Sequence, residues 1–267
     1  GTSSTAAAMT PNGLRFLIIT GTTLRIFDAA TIQQVQIGNL DIGLTPTDIV
    51  ISPDSKRAFV MDGLGQKVTA IDLTSNTVIG QAGPFVGINS GYVAMSPSGL
   101  LYVSAQTNNS SVVYELNPNA DPFDLTNAKL RQFSVTGKVG KLHFTPDGTR
   151  ALAANENQPT GAVLYFFNLA DSGGGTAILS NSEPLVAGVT FDKLYIIGNS
   201  LAYGISSGSS TPSKKIYQIL LADLPAPGAN LQAPQVSEPI FGSLGVPQIV
   251  EGIAFSREYP IAKRMFI

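Results

Sequence analysis

A chain of 267 residues that is 43% hydrophobic can fill a real core, while 13% charged residues and a net charge of −2 exclude disorder and exclude nucleic-acid or acidic-membrane binding by bulk positive charge. The absence of cysteine excludes disulfides, thiolate metal sites and a thiol nucleophile, and a single histidine, His143, excludes multi-histidine metal centres. With 27 glycines, 17 prolines and no run of about 18 apolar residues, the chain offers neither long helices nor a membrane-spanning one.

The opening Gly-Thr-Ser-Ser is read as a tag remnant, with any signal peptide already removed. The first predicted unit then runs to a Thr10-Pro11-Asn12-Gly13 turn, with strands over 14–19, 23–27 and 33–37. The second repeats the plan: Ser52-Pro53-Asp54-Ser55, then strands over 57–61, 67–71 and 77–80. In the third, Ser96-Pro97-Ser98-Gly99 precedes strands over 100–104, 111–116 and 130–135. In the fourth, Thr145-Pro146-Asp147-Gly148 precedes strands over 150–154, 162–168 and 184–190. Two looser copies follow, with strands over 201–205, 215–221 and 235–241, and then a last one over 263–267.

The turn anchors fall at 11, 53, 97, 146, 198 and 257, so the spacings are 42, 44, 49, 52 and 59. The first two match the ~40–45 residues of a four-stranded propeller blade, and the later ones read as the same unit with longer loops. A lone blade cannot bury both faces, whereas radial stacking buries each face on a neighbour. The expected fold is all-β, a β-propeller of four-stranded antiparallel blades forming one domain over 1–267. The blades lie near 5–40, 46–83, 91–136, 139–190, 193–241 and 250–267, and the last stops within its second strand. Five complete blades and part of a sixth predict either a truncated chain or a sixth blade completed by a partner, including self-association.

The segments Phe59-Val60-Met61-Asp62 through Val68-Thr69-Ala70-Ile71-Asp72, and Leu101-Tyr102-Val103-Ser104 through Val112-Val113-Tyr114, resemble YVTN-type β-propeller repeats. Ser52-Pro53-Asp54 and Thr145-Pro146-Asp147-Gly148 look like that family's Ser-Pro-Asp-Gly turn. The resemblance covers essentially the whole chain and is sharpest in repeats two to four. It implies a propeller that is secreted, periplasmic or on the bacterial cell surface and presents loops for binding. Some relatives are lactonase-like enzymes.

Propeller ligands usually sit where the innermost strands begin. Aligned on the anchors, those positions hold Ala6, Asp48, Tyr92, Lys141, Lys193 and Gly252, with Glu251 adjacent, and two residues on come His143 and Tyr195. A period of two puts each such pair on one strand face. Asp48, Tyr92, Lys141, His143, Lys193, Tyr195 and Glu251 therefore form either a mixed polar pocket or the polar lining of a wet channel. His143 and Glu251 are the candidates for general acid–base chemistry.

Other motifs are weaker. Gly204-Ile205-Ser206-Ser207-Gly208 fits G-x-S-x-G, but within an all-β repeat. The oxygen-rich stretch 117–124 lacks the glycine and glutamate of an EF-hand loop and reads as a polar connection. Gly173-Gly174-Gly175 reads as a hairpin tip, Asn108 and Asn109 begin overlapping N-glycosylation sequons, and 222–248 reads as a long loop beside one mouth. Two functions stay open: a non-enzymatic interaction or ligand-binding module acting on another protein or surface component, or a lactonase-like hydrolase. Neither calls for a cofactor, a metal, nucleic acid or membrane insertion.

Overall fold

A single hydroxyl organises the first turn in each of the first four repeats. Thr10 Oγ1 accepts from Arg15 N at 2.9 Å, Ser52 Oγ from Arg57 N at 2.9 Å, Ser96 Oγ from Leu100 N at 3.0 Å, and Thr145 Oγ1 from Arg150 N at 3.1 Å. In the same turns the N–H of Gly13, Ser55, Gly99 and Gly148 donates back to the carbonyl of that Thr or Ser. Those four residues lie at φ between 62° and 81°, where glycine is unstrained. Proline follows the hydroxyl residue where the ladder needs no N–H.

A computed structural model describes residues 4–35, 40–85, 90–156, 164–170, 178–180, 190–207, 216–221, 236–237, 254–255 and 265–266. Among the described residues the hairpins assemble five four-stranded antiparallel sheets and one two-stranded sheet, each in simple chain order. The fold is an all-β propeller of four-stranded blades. The chain divides into two compact units, Gly1–Leu142 with Ala170–Ala177, and His143–Leu169 with Ile178–Ile267.

The first unit holds three blades. Blade one is β1 (Ser4–Met9), β2 (Arg15–Thr20), β3 (Thr23–Asp28) and β4 (Leu40–Asp41). Blade two is β5 (Pro46–Ile51), β6 (Arg57–Asp62), β7 (Lys67–Asp72) and β8 (Thr77–Ala82). Blade three is β9 (Ser90–Met95), β10 (Leu101–Gln106), β11 (Ser110–Leu116) and β12 (Lys129–Thr136), with the short helix α1 (Leu125–Ala128) before its last strand. The first strands β1, β5 and β9 lie side by side, so they form the inner edge. Alternation along β6 shows the stacking. Ala58 and Val60 pack with Leu17, Ile19, Leu24 and Ile26 of blade one, while Phe59 and Met61 pack with Leu101, Val103 and Ala105 of blade three. A strand buried on both faces reads as a near-continuous apolar run: β6 does so over Ala58, Phe59, Val60 and Met61, and β10, buried throughout, does so except at Ser104 and Gln106. The outer strands β8 and β12 are mostly exposed.

The second unit holds blade four, β13 (His143–Phe144), β14 (Arg150–Ala154), β15 (Leu164–Asn168) and β16 (Ile178–Ser180). Blade five is β17 (Thr190–Ile197), β18 (Leu201–Ser207), β19 (Ile216–Leu220) and β20 (Val236–Ser237). Leu152, Leu164 and Phe166 pack on Phe191, Leu194, Ala202 and Ile219 between them. A final hairpin pairs β21 (Ala254–Phe255) with β22 (Met265–Phe266). The fourth strand of blade four lies at 178–180 rather than 184–190, because Ile178 and Leu179 pair with Phe167 and Phe166. The stretch 117–124 is more than a polar connection: Phe123 is buried against Phe59, ring centroids 5.4 Å apart, and bridges Gly80 on the free edge of β8.

An arginine opens the second strand in three blades and reaches the following blade. Arg15 Nη1 donates to the Leu73 carbonyl and, at 3.0 Å, to Asn76 Oδ1. Arg57 Nη1 donates to the Pro118 carbonyl, and Arg150 Nη1 to the Leu221 carbonyl at 2.8 Å. Blade three carries Leu100 at this place.

The turns after β3 and β7 share one plan, in which Asp28 Oδ1 accepts from Ala30 N and Thr31 N, and Asp72 Oδ1 from Thr74 N and Ser75 N. Their left-handed position holds Asn76 (φ 56°) in blade two but Ile32 (φ 58°) in blade one, with Ile32 70% exposed. A β-branched residue there costs roughly 1–2 kcal/mol and gains nothing from burial. Ile32→Asn is expected to stabilise the chain by about 1 kcal/mol, raising the thermal midpoint by about 2–4 °C in a melting experiment.

Candidate functional site: the rim where inner strands begin

Three of the predicted inner-strand positions follow a β-bulge. The register shifts between Ser4 and Ala6, between Pro46 and Asp48, and between Phe191 and Lys193. A bulge adds one residue to one strand and re-aims the side chains beside it. In blade three the corresponding pairing is regular, with Tyr92 opposite Ser104.

Asp48 is 9% exposed. Its Oδ1 accepts from its neighbour Ile49 N at 2.9 Å, and its Oδ2 from Val93 N on β9 at 3.1 Å. Lys141 Nζ completes the arrangement, 2.7 Å from Oδ1 and 2.8 Å from Oδ2. The segment bearing Lys141 is pinned to blade three: Ser111 Oγ accepts from Val139 N and donates to the Gly137 carbonyl, both at 2.9 Å, and Gln106 Nε2 donates to the Val139 carbonyl at 2.8 Å. Two of the residues expected at this rim, far apart in sequence, are thus in direct contact.

The others are placed as follows. Tyr92 is half-buried on β9. His143 opens β13, half-buried and opposite Leu152. On β17, Lys193 is exposed and Tyr195 half-buried, opposite Ile205 and Tyr203. Both alternate with Leu194 and Ile196, which pack into the core, so they share the other face of the strand. Glu251, the triple glycine 173–175 and most of 222–248 lie outside the described residues. Among the described residues, no three His, Cys, Asp or Glu side chains are grouped to hold a metal ion. Ser206 sits on β18 paired with Phe191, not at the strand-to-helix turn that a G-x-S-x-G nucleophile requires.

Sequence reasoning missed a second feature of the same rim. Asp62 ends β6 and is fully buried. Its Oδ2 accepts from Leu44 N at 2.9 Å, and its Oδ1 from Thr45 N at 2.9 Å, Gly65 N at 3.0 Å and Thr45 Oγ1 at 3.2 Å. Thr45 Oγ1 in turn accepts from Leu64 N at 2.8 Å. Burial pushes the Asp62 carboxyl up, but the donations from Thr45, Gly65 and Leu44 outweigh it and hold the group below its ordinary value. Added Cβ atoms at Gly43 and Gly65 would fall 2.1 and 1.8 Å from Asp62 Oδ2, so both positions require glycine. On this brace stand two solvent-facing leucines, Leu44 at 72% and Leu64 at 65% exposure. The available signal was an aspartate at a strand end with glycines at 63 and 65 and another at 43.

The other buried charge lies within blade three. Glu115 Oε2 accepts from Tyr102 Oη and from Arg131 Nε and Nη2, the last two at 2.7 Å, and Arg131 lies over the Phe133 ring. Burial, then Glu115, raises the Tyr102 phenol above its usual range. This trio ties β10, β11 and β12 together with its own charges satisfied.

No protein-family model matches the chain, and no curated protein matches it. Among solved structures, it is similar to hydrazine synthase of Kuenenia stuttgartiensis, with a TM-score of 0.64 and 14% identity. The match covers 89% of this chain and 66% of that one. At this identity the likeness is one of fold.

Proposed function

We propose that this chain is a non-enzymatic β-propeller of YVTN type, secreted or displayed on the cell surface, whose rim around Leu44 and Leu64 docks a protein partner. The observation that carries the reading is the pair of exposed leucines on loops held rigid by a buried carboxylate. Core stability does not need those side chains, whereas a pre-ordered apolar anchor loses little entropy on binding. The resemblance of the repeats to YVTN-type sequences supports the extracellular placement. Asp48 and Lys141 neutralise each other, which supports a binding rim over a hydrolytic one.

Two measurements test this. Retention of a partner from the source organism's extracellular and surface fractions is expected to fall at least about tenfold in Leu44→Ser/Leu64→Ser, the scale of a central interface anchor. The thermal midpoint should be unchanged. Sugar lactones should show no saturable hydrolysis, and turnover that disappears in His143→Ala would overturn the proposal in favour of a lactonase.

A further inference from the structure

The two halves of the Asp48–Lys141 pair are held very differently. The carboxylate is fixed by the main chain, with one N–H from its own strand and one from β9, and it is almost buried. The ammonium arrives on a flexible four-carbon stem, and its side chain is 37% exposed. Remove the lysine, and the acceptor keeps both backbone donors and hence its position. Each oxygen already takes a backbone N–H, so the remaining lone pairs converge on one compact donor set between them. A primary ammonium meets that arrangement from a single nitrogen, as Lys141 Nζ does at 2.7 and 2.8 Å. A partly exposed ion pair is weak in water, so exchanging one ammonium for another costs little.

We propose that Asp48 is a binding site for a primary ammonium group, which Lys141 occupies in the free protein and yields to an amine-bearing ligand. The ligand class is a small primary amine or a lysine side chain. The inference deepens the reading of this rim as a binding face and rests on it only for the ligand's biological role.

The test is chemical rescue of the full chain. Lys141→Ala, and Lys141→Met as a variant that keeps the stem's packing, are melted in ethylammonium, tetramethylammonium or sodium chloride at matched ionic strength. Ethylammonium is expected to raise the variants' midpoint by a few degrees and wild type's by less, because there it must displace Lys141; a wild type that does not move at any concentration that saturates the variants would show that Lys141 does not yield. Tetramethylammonium, with the same charge and no N–H, should match sodium. The response should vanish in Asp48→Asn/Lys141→Ala. A blocked lysine amide acting like ethylammonium assigns the site to lysine side chains, and a response to ethylammonium alone assigns it to small amines. Equal responses to ethylammonium and tetramethylammonium, or a response that survives Asp48→Asn, overturn the proposal. Leu44→Ser/Leu64→Ser should retain the rescue when combined with Lys141→Ala, so failure here is separate from failure of the docking proposal.

Discussion

Asp62→Ala is expected to destabilise the chain by about 3–4 kcal/mol and lower the thermal midpoint by about 6–15 °C. The carboxylate satisfies three backbone N–H groups and one hydroxyl. A buried donor left without its partner costs about 1–3 kcal/mol, and water can reach only part of this site because the leucines it supports are exposed while the carboxylate is not. Asp62→Asn should recover only part of the loss, since its amide nitrogen brings a donor to a place built for an acceptor. The same groups set the acid limit. Asp62, Asp54, Asp72 and Asp147 are all held below the ordinary carboxyl value of 3.8. The Ser52 hydroxyl is the main cause for Asp54 and the Thr145 hydroxyl for Asp147, while at Asp72 the donations from Ser75 and Thr74 outweigh burial. The unfolded chain therefore binds more protons than the folded one as pH falls. The contribution is complete above the unfolded value, about 4, and is lost as pH drops through the lower folded values. Melting from pH 7 downward should be flat to about pH 5 and fall below about pH 4, with a shallower fall in Asp62→Ala.

Gly80→Ala is expected to cost about 2–3 kcal/mol, measured by denaturant unfolding, and to increase aggregation. Its Cβ would lie 2.5 Å from the Phe123 carbonyl oxygen and 2.9 Å from Phe123 Cβ. The backbone there cannot retreat without lifting Phe123 from the core it shares with Phe59. Lifting it also uncovers the edge of β8, where Val78 and Ile79 are already more than a third exposed. If Gly80→Ala melted like wild type and showed no added aggregation, the segment 117–128 would not be the cover of that edge.

The blades were legible because the Ser/Thr-Pro turn and two-residue alternation leave a direct mark on sequence. The hydroxyl that closes the turn in the first four repeats has to stand at a fixed place, and a strand buried on both faces has to be mostly apolar. The fourth strands were less legible. They pair on one side only, and β8 and β12 lie mostly in solvent, so a fourth strand carries less pattern; 178–180 is marked only by Ile178 and Leu179, which pair with Phe167 and Phe166. The contact of Asp48 with Lys141 could be anticipated from their equivalent places in the repeat. The Asp62 brace could not, because its partners are main-chain N–H groups, and a backbone donor leaves no residue signature beyond the glycines that make room for it.

The arginine latches carry an evolutionary consequence. Each guanidinium donates to a backbone carbonyl of the next blade, at Leu73, Pro118 or Leu221, and a carbonyl is offered by a residue of any kind. Apart from Asn76, whose side chain takes a second bond from Arg15, the receiving blade contributes only its chain path, so a duplicated blade can be accepted downstream with little matching change of side chain. A fold that grows by copying its own unit is served by a joint in which only one side is encoded.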